Sequence, residues 1–90
     1  MKQWSVGFLD TAKRQLRKID KRGQKTILDY LEDEIAQLAD PRTRGKALVG
    51  DKQGLRRYRV GDYRIRSEIH HNKLIIAVIT IGQRKDIHNK

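Results

Sequence analysis

The chain has no cysteine, a single proline in its 90 residues, and no apolar run longer than Leu74 to Val78 with its continuation to Ile81. The lack of cysteine removes a disulfide framework and a thiolate metal site, and it is compatible with a reducing compartment. The apolar run is far too short to span a bilayer. The opening Met1-Lys2-Gln3-Trp4-Ser5 lacks the apolar core of a signal peptide. The expectation is a cytoplasmic protein with no membrane partner. No carboxylate or histidine cluster has metal-ligand spacing, so no metal or cofactor is expected. Repeats and low-complexity segments are missing too, and residues 1–90 read as one small domain with an adequate but not generous core.

What the chain does have is positive charge. Lysine and arginine number 21 against 11 acidic residues, a formal net charge of +10. Such a surplus suits nucleic acid, an acidic partner or an anionic membrane. Membrane binding is the weakest of these, because the basic positions do not form an amphipathic helix with large apolar residues.

The arginines are concentrated in Leu55-Arg56-Arg57-Tyr58-Arg59-Val60-Gly61-Asp62-Tyr63-Arg64-Ile65-Arg66. Glycine at the first position of a two-residue turn predicts a II′ hairpin. Strand side chains alternate between faces. Arg57 and Arg59 therefore share one face of the first strand, and Arg64 and Arg66 share one face of the second. Tyr58, Val60, Tyr63, Ile65 and Ile69 suit the buried side. The planar guanidinium fork matches phosphate oxygens bidentately, so the hairpin reads as a polyanion site. Only Glu68 offsets these cations, which argues against a merely solvated face.

The rest of the chain supplies a frame. Residues 4–8 predict a first strand. Asp10 or Thr11 caps a helix to about Ile19, with Ala12, Leu16 and Ile19 inward and Lys13, Arg14, Arg17 and Lys18 outward. Asp20 caps a second helix to about Ala39, whose buried face is Leu28, Leu31, Ile35 and Leu38 and whose middle is acidic. Pro41 stops it, and residues 40–53 read as a loop. Strands follow at about 55–60, 63–70 and 73–81, the last apolar on both faces and hence central or covered on both sides. The fold class is α+β, with two N-terminal helices on one face of a small, largely antiparallel four-stranded sheet and arginine on the other face.

The tail Gly82-Gln83-Arg84-Lys85-Asp86-Ile87-His88-Asn89-Lys90 leaves the central strand. Arg84 falls close to the hairpin, and His88 reaches the same surface if the tail turns back. Histidine beside several arginines suits RNA cleavage by its own 2′-hydroxyl, one group moving a proton while cations stabilise charge on the phosphate. The alternative for His88 is a solvated residue near a frayed terminus. His70 and His71 read as turn residues.

The chain resembles the RelE/ParE superfamily of bacterial toxins over nearly its full length. The resemblance rests on Phe8 to Leu16, on the hairpin Arg57 to Ile65, and on Ile79 to His88. Its RelE branch implies a metal-independent mRNA interferase that enters the ribosomal A site and inhibits translation. The 2′-hydroxyl attacks the adjacent phosphate and leaves a cyclic phosphate. Carried over by position, Arg64 and Arg84 stabilise the phosphate and transition state, Arg57 and Arg59 orient RNA and tune proton transfer, and His88 stands where RelE-type toxins often have tyrosine. Further RNA contacts are expected at Lys52, Arg56, Arg66, Lys85, Lys13 and Arg17. The implied partners are a RelB-like antitoxin, mRNA and the ribosome with its rRNA, and operator DNA only through the antitoxin complex. The ParE branch implies instead a DNA gyrase inhibitor without nuclease activity. A third reading is a passive RNA-binding protein.

Overall fold

The computed structural model describes residues 3–47 and 55–83. The elements run β1 (Ser5–Phe8), α1 (Asp10–Arg17), α2 (Lys21–Asp29), a π-helical continuation (Tyr30–Ile35), a 3-10 turn (Pro41–Thr43), β2 (Lys46–Ala47), β3 (Leu55–Val60), β4 (Tyr63–His70) and β5 (Ile75–Gln83). The sheet order is β1-β5-β4-β3-β2. Four strands of four or more residues form its body, with two-residue β2 added at one edge. Only β1 and β5 pair in parallel; the other neighbours are antiparallel.

Both helices pack on one face. Their buried residues Ala12, Ile27, Leu31, Ile35 and Ala36 meet Tyr58, Ile65, Ile69, Ile76, Val78 and Ile81 from the sheet. The inward stripe of the second helix is Gly23, Ile27, Leu31 and Ile35, each buried and each four residues on. Leu28 and Leu38, expected inward, are only half-buried. A strict four-residue repeat drifts against the 3.6 residues of an α-turn. The helix widens to compensate: the Ala36 amide donates to the Leu31 carbonyl, five residues back, at 2.8 Å. Gly23 is needed because a Cβ there would collide with the Tyr63 hydroxyl and the Ile19 side chain.

Asp20 caps α2 as expected, its carboxylate accepting from the Gly23 amide at 2.8 Å. For α1 the capping position falls to Leu9, which has no side-chain cap. Asp10 lies inside the first turn, where its charge complements the helix dipole. Pro41 does not stop the second helix, whose regular part ends at Ile35. It opens the 3-10 turn capped by Asp40, where its missing amide costs nothing. The segment expected to be a loop therefore holds this turn and β2.

The last strand lies two residues later than its apolar run suggested, from Ile75 to Gln83. Gly82 and Gln83 are strand rather than tail because they pair with Arg64 and Tyr63. The ladder slips between Val78 and Thr80, leaving Ile79 as a β-bulge. Ile76, Val78 and Ile81 consequently all face the helices despite their uneven spacing. Ile75, Ala77 and Ile79 remain half-buried on the open face, so this strand is interior to the sheet but covered by helices on one side only. Beyond the last β1 pair, Phe8 with Val78, a side chain takes over the outer edge: Gln15 Oε1 accepts from the Ile81 amide at 2.7 Å.

Candidate nucleic-acid interface

The β3–β4 hairpin turns at Gly61, whose φ of +57° needs glycine. Among the described residues the sole non-glycine with positive φ is Leu74, so Asp62 has the negative φ of a II′ turn. The register sets Arg59 opposite Arg64 and Arg57 opposite Arg66. Residues paired across a ladder share a face. All four arginines therefore stand on the side of the sheet away from the helices. Lys46, paired with Arg57 from β2, extends the row on one side, and Thr80 and Gly82, paired with Arg66 and Arg64, extend it on the other.

Like charges directly across a ladder destabilise it, and here two such pairs are adjacent. Among the described residues, no carboxylate forms an ion pair with Arg57, Arg59 or Arg66. Glu68 lies on this face but beyond the cluster, 3.2 Å from His70 Nε2. A shallow hollow of about 210 Å³ opens between Arg57, Arg64, Arg66, Thr80 and Gly82. Glycine at position 82 leaves its floor without a side chain. Several guanidinium groups around a small open hollow can hold a phosphodiester and stabilise charge that grows on it.

The hairpin is anchored from behind. Tyr58, between Arg57 and Arg59, points into the core and donates its hydroxyl to the Pro41 carbonyl at 2.7 Å. Burial holds this phenol well above its ordinary pKa, so it stays a neutral donor.

Not every expected contact belongs to this surface. Arg56 shares the face of Tyr58, and its Nη2 donates to the carbonyls of Gly45 at 3.1 Å and Arg44 at 3.5 Å. Strand alternation puts it on the helix side, where it braces the chain before β2. Lys13 and Arg17 are exposed on α1, across the sheet from the arginine face. His71 packs edge-on to the buried Trp4, with ring centroids 5.3 Å apart, and sits 3.4 Å from Asp40. Lys52, Arg84, Lys85 and His88 lie outside the described residues. No group of three metal-ligating side chains occurs among the described residues, and no helix there is long and apolar enough to cross a membrane.

Sequence reasoning missed Tyr30, Arg44 and Lys46. They line a second hollow with Gly45, Arg57 and Arg59. Tyr30 comes from a helix and Lys46 from a strand too short to show periodicity. The only available signal was the density of basic residues between Arg42 and Lys46.

Comparison with known proteins agrees with this architecture. Residues 6–88 match the family model described as the ParE toxin of type II toxin-antitoxin system, parDE. No curated protein matches the chain. Among solved structures, a chain of the toxin-antitoxin complex RelBE2 from Mycobacterium tuberculosis is 24% identical, with a TM-score of 0.80 over 93% of this chain and 94% of that one. A mutant of the E. coli toxin RelE in the free state is 19% identical, with a TM-score of 0.76 over 98% of this chain and 90% of that one. The archaeal RelE-RelB complex from Pyrococcus horikoshii gives 22% and 0.64, over 90% and 94%. The family match spans nearly the whole chain, and the fold is that of RelE: this chain belongs to the RelE/ParE superfamily of type II toxin-antitoxin toxins.

Proposed function

We propose that this toxin is an endoribonuclease that cuts mRNA in the ribosomal A site and thereby inhibits translation. The observation that carries the reading is the open arginine face, where Arg59 faces Arg64 and Arg57 faces Arg66. A fold keeps such mutually repelling pairs at a cost in stability, and a polyanionic substrate relieves it. In the proposed reaction the 2′-hydroxyl oxygen bonds to the adjacent phosphorus and the bond to the 5′-oxygen breaks. The hydroxyl's proton leaves to a base, and the departing oxygen gains a proton. The products are a cyclic phosphate and a 5′-hydroxyl. Arg64 and Arg84 stabilise the charge on the phosphate oxygens. Arg57 and Arg59 orient the RNA and tune proton transfer, Arg66 widens the cationic track, and His88 moves a proton. Lys52 and Lys85 contact RNA.

The reading includes a cytoplasmic setting, silencing by a RelB-like antitoxin, and operator DNA bound only through that complex. The decisive experiment is cleavage of mRNA on programmed ribosomes, mapped at nucleotide resolution, for wild type, Arg64→Ala, Arg84→Ala and His88→Ala. Cuts at the A-site codon that vanish in folded Arg64→Ala and Arg84→Ala support the reading, and His88→Ala decides the tail's part. Intact mRNA with a folded, growth-arresting wild type refutes it. One observation favours a second reading, inhibition of DNA gyrase without nuclease activity: the family model matched is that of ParE. Supercoiling by gyrase in the presence of the toxin tests it directly.

A further inference from the structure

The cationic surface does not stop at the hairpin. At the outer edge of β3 a second hollow of about 370 Å³ is lined by Tyr30, Arg44, Gly45, Lys46, Arg57 and Arg59. This is within the usual range for small-ligand sites, roughly 300–1,000 Å³. Arg57 borders both this hollow and the smaller one over Arg64 and Arg66. The two are neighbouring stations on one track.

The second hollow differs from the first in having an aromatic wall. The half-buried Tyr30 ring packs edge-on to Tyr58, with centroids 6.4 Å apart and planes at 64°. It stands where the second helix widens into its π-helical part. The opposite wall is also fixed. Arg56 ties the Arg44 and Gly45 carbonyls to β3, Arg44 Nη1 meets Glu34 Oε1 at 3.3 Å, and Lys46 pairs with Arg57 in the sheet. Gly45 lies so close to the Arg57 carbonyl and Tyr58 ring that no side chain fits there. The wall is preformed, and little ordering is needed when a ligand enters. A bare anion needs only the cations. An aromatic ring beside cations matches a nucleotide, whose base stacks while its phosphate is neutralised.

We propose that this hollow is a nucleotide subsite. It takes one nucleotide of single-stranded RNA flanking the reacting phosphate, with the base against Tyr30 and the phosphate between Lys46 and the Arg57–Arg59 edge. The subsite rests on the RNA-cleavage reading above. It assigns Tyr30 and Lys46 to substrate positioning, and it makes the toxin sensitive to a base one step away from the cut.

The test is fluorescence anisotropy at low salt with 2′-O-methyl RNA oligonucleotides, which lack the attacking hydroxyl and stay intact. Wild type is compared with Tyr30→Leu, which keeps bulk without an aromatic ring, and with Tyr30→Phe, Lys46→Ala and Arg64→Ala. Each variant is checked for fold by circular dichroism and denaturation midpoint. A parallel series replaces the base at each position in turn by an abasic nucleotide. The expected result is a loss of about tenfold for Tyr30→Leu, the usual scale for one base-aromatic stack, with near-normal binding by Tyr30→Phe. One abasic position should weaken wild type by a similar factor and leave Tyr30→Leu unchanged. Folded Tyr30→Leu that binds as wild type does, or abasic losses that add to it at every position, overturns the subsite. If Arg64→Ala still weakens binding in that case, the RNA reading survives without it. Loss in Lys46→Ala without loss in Tyr30→Leu means an anion site only and refutes the stacking. A wild type that binds no oligonucleotide refutes the subsite, while cleavage on programmed ribosomes still decides the RNA-cleavage reading.

Discussion

Removing one oxygen atom from the protein tests the account of how the arginine hairpin is held. Tyr58→Phe keeps the ring that fills the core between β3 and the second helix, so no cavity forms. It deletes the hydrogen bond to the Pro41 carbonyl, which is 2.7 Å long and buried. The carbonyl then loses the shorter of its two donors and keeps only the Arg44 amide, at 3.3 Å. Such a loss costs about 1–2 kcal/mol. For a domain of this size each kcal/mol moves the melting midpoint by about 4–8 °C, so a fall of roughly 5–15 °C is expected near neutral pH.

The same bond gives a second signature. Burial raises the Tyr58 pKa in the folded state above its ordinary 10.0. Above that pH the unfolded chain gives up the phenolic proton while the folded chain keeps it. The unfolded state then binds fewer protons, and wild-type stability falls as pH rises. The phenylalanine variant has no such proton at this position. Its deficit should therefore narrow above about pH 10, by up to ~1.4 kcal/mol per pH unit. Urea unfolding of both proteins from neutral to alkaline pH measures this. A deficit below about 0.3 kcal/mol at neutral pH, or one that stays constant through the alkaline range, refutes the reasoning.

Two further substitutions examine the same corner and the core. Gly45→Ala should cost about 2–4 kcal/mol in urea unfolding. Its φ is +79°, and a Cβ would lie 2.7 Å from both the Arg57 carbonyl oxygen and the Tyr58 ring; a cost under about 1 kcal/mol contradicts this. Ser67→Ala should be neutral or stabilise by up to ~1–2 kcal/mol, because the fully buried hydroxyl has no hydrogen-bond partner among the described residues. A clear loss of stability in the same assay shows that the hydroxyl is satisfied after all.

The arginine face was legible because strand alternation is a local rule. Once Gly61 fixes the turn, the facing of Arg57, Arg59, Arg64 and Arg66 follows from counting. The frame was legible for the same reason, through the helical spacing of Leu31 and Ile35 and the Asp20 cap. What failed was whatever depends on contacts distant in sequence. β2 is two residues long and exists only because Arg57 and Arg56 offer it a partner, so no pattern marks it. Arg56 is separated from the other arginines by alternation, yet its two carbonyl bonds are visible only in three dimensions. The Tyr30 hollow joins a helix, a turn and a strand, and none of the three segments carries its signature alone. The second helix went wrong through period: leucines at spacings of three and four suggested Leu28 and Leu38, but the buried stripe runs at four and needs the π-helical widening.

The bulge at Ile79 also fixes a parity. Before it, apolar side chains on β5 face the helices at even positions; after it, at odd ones. Deleting Ile79 would remove the bulge and restore plain alternation, with Thr80 still opposite Arg66 and Ile81 still toward the helices. Flattening the bulge with the count unchanged would instead turn Ile81 toward the arginines, and Gly82 would no longer be the bare floor beneath them. Substitutions at Ile79 that keep the bulge leave this facing intact. In this strand the bulge constrains the site more tightly than the identity of the residue that fills it.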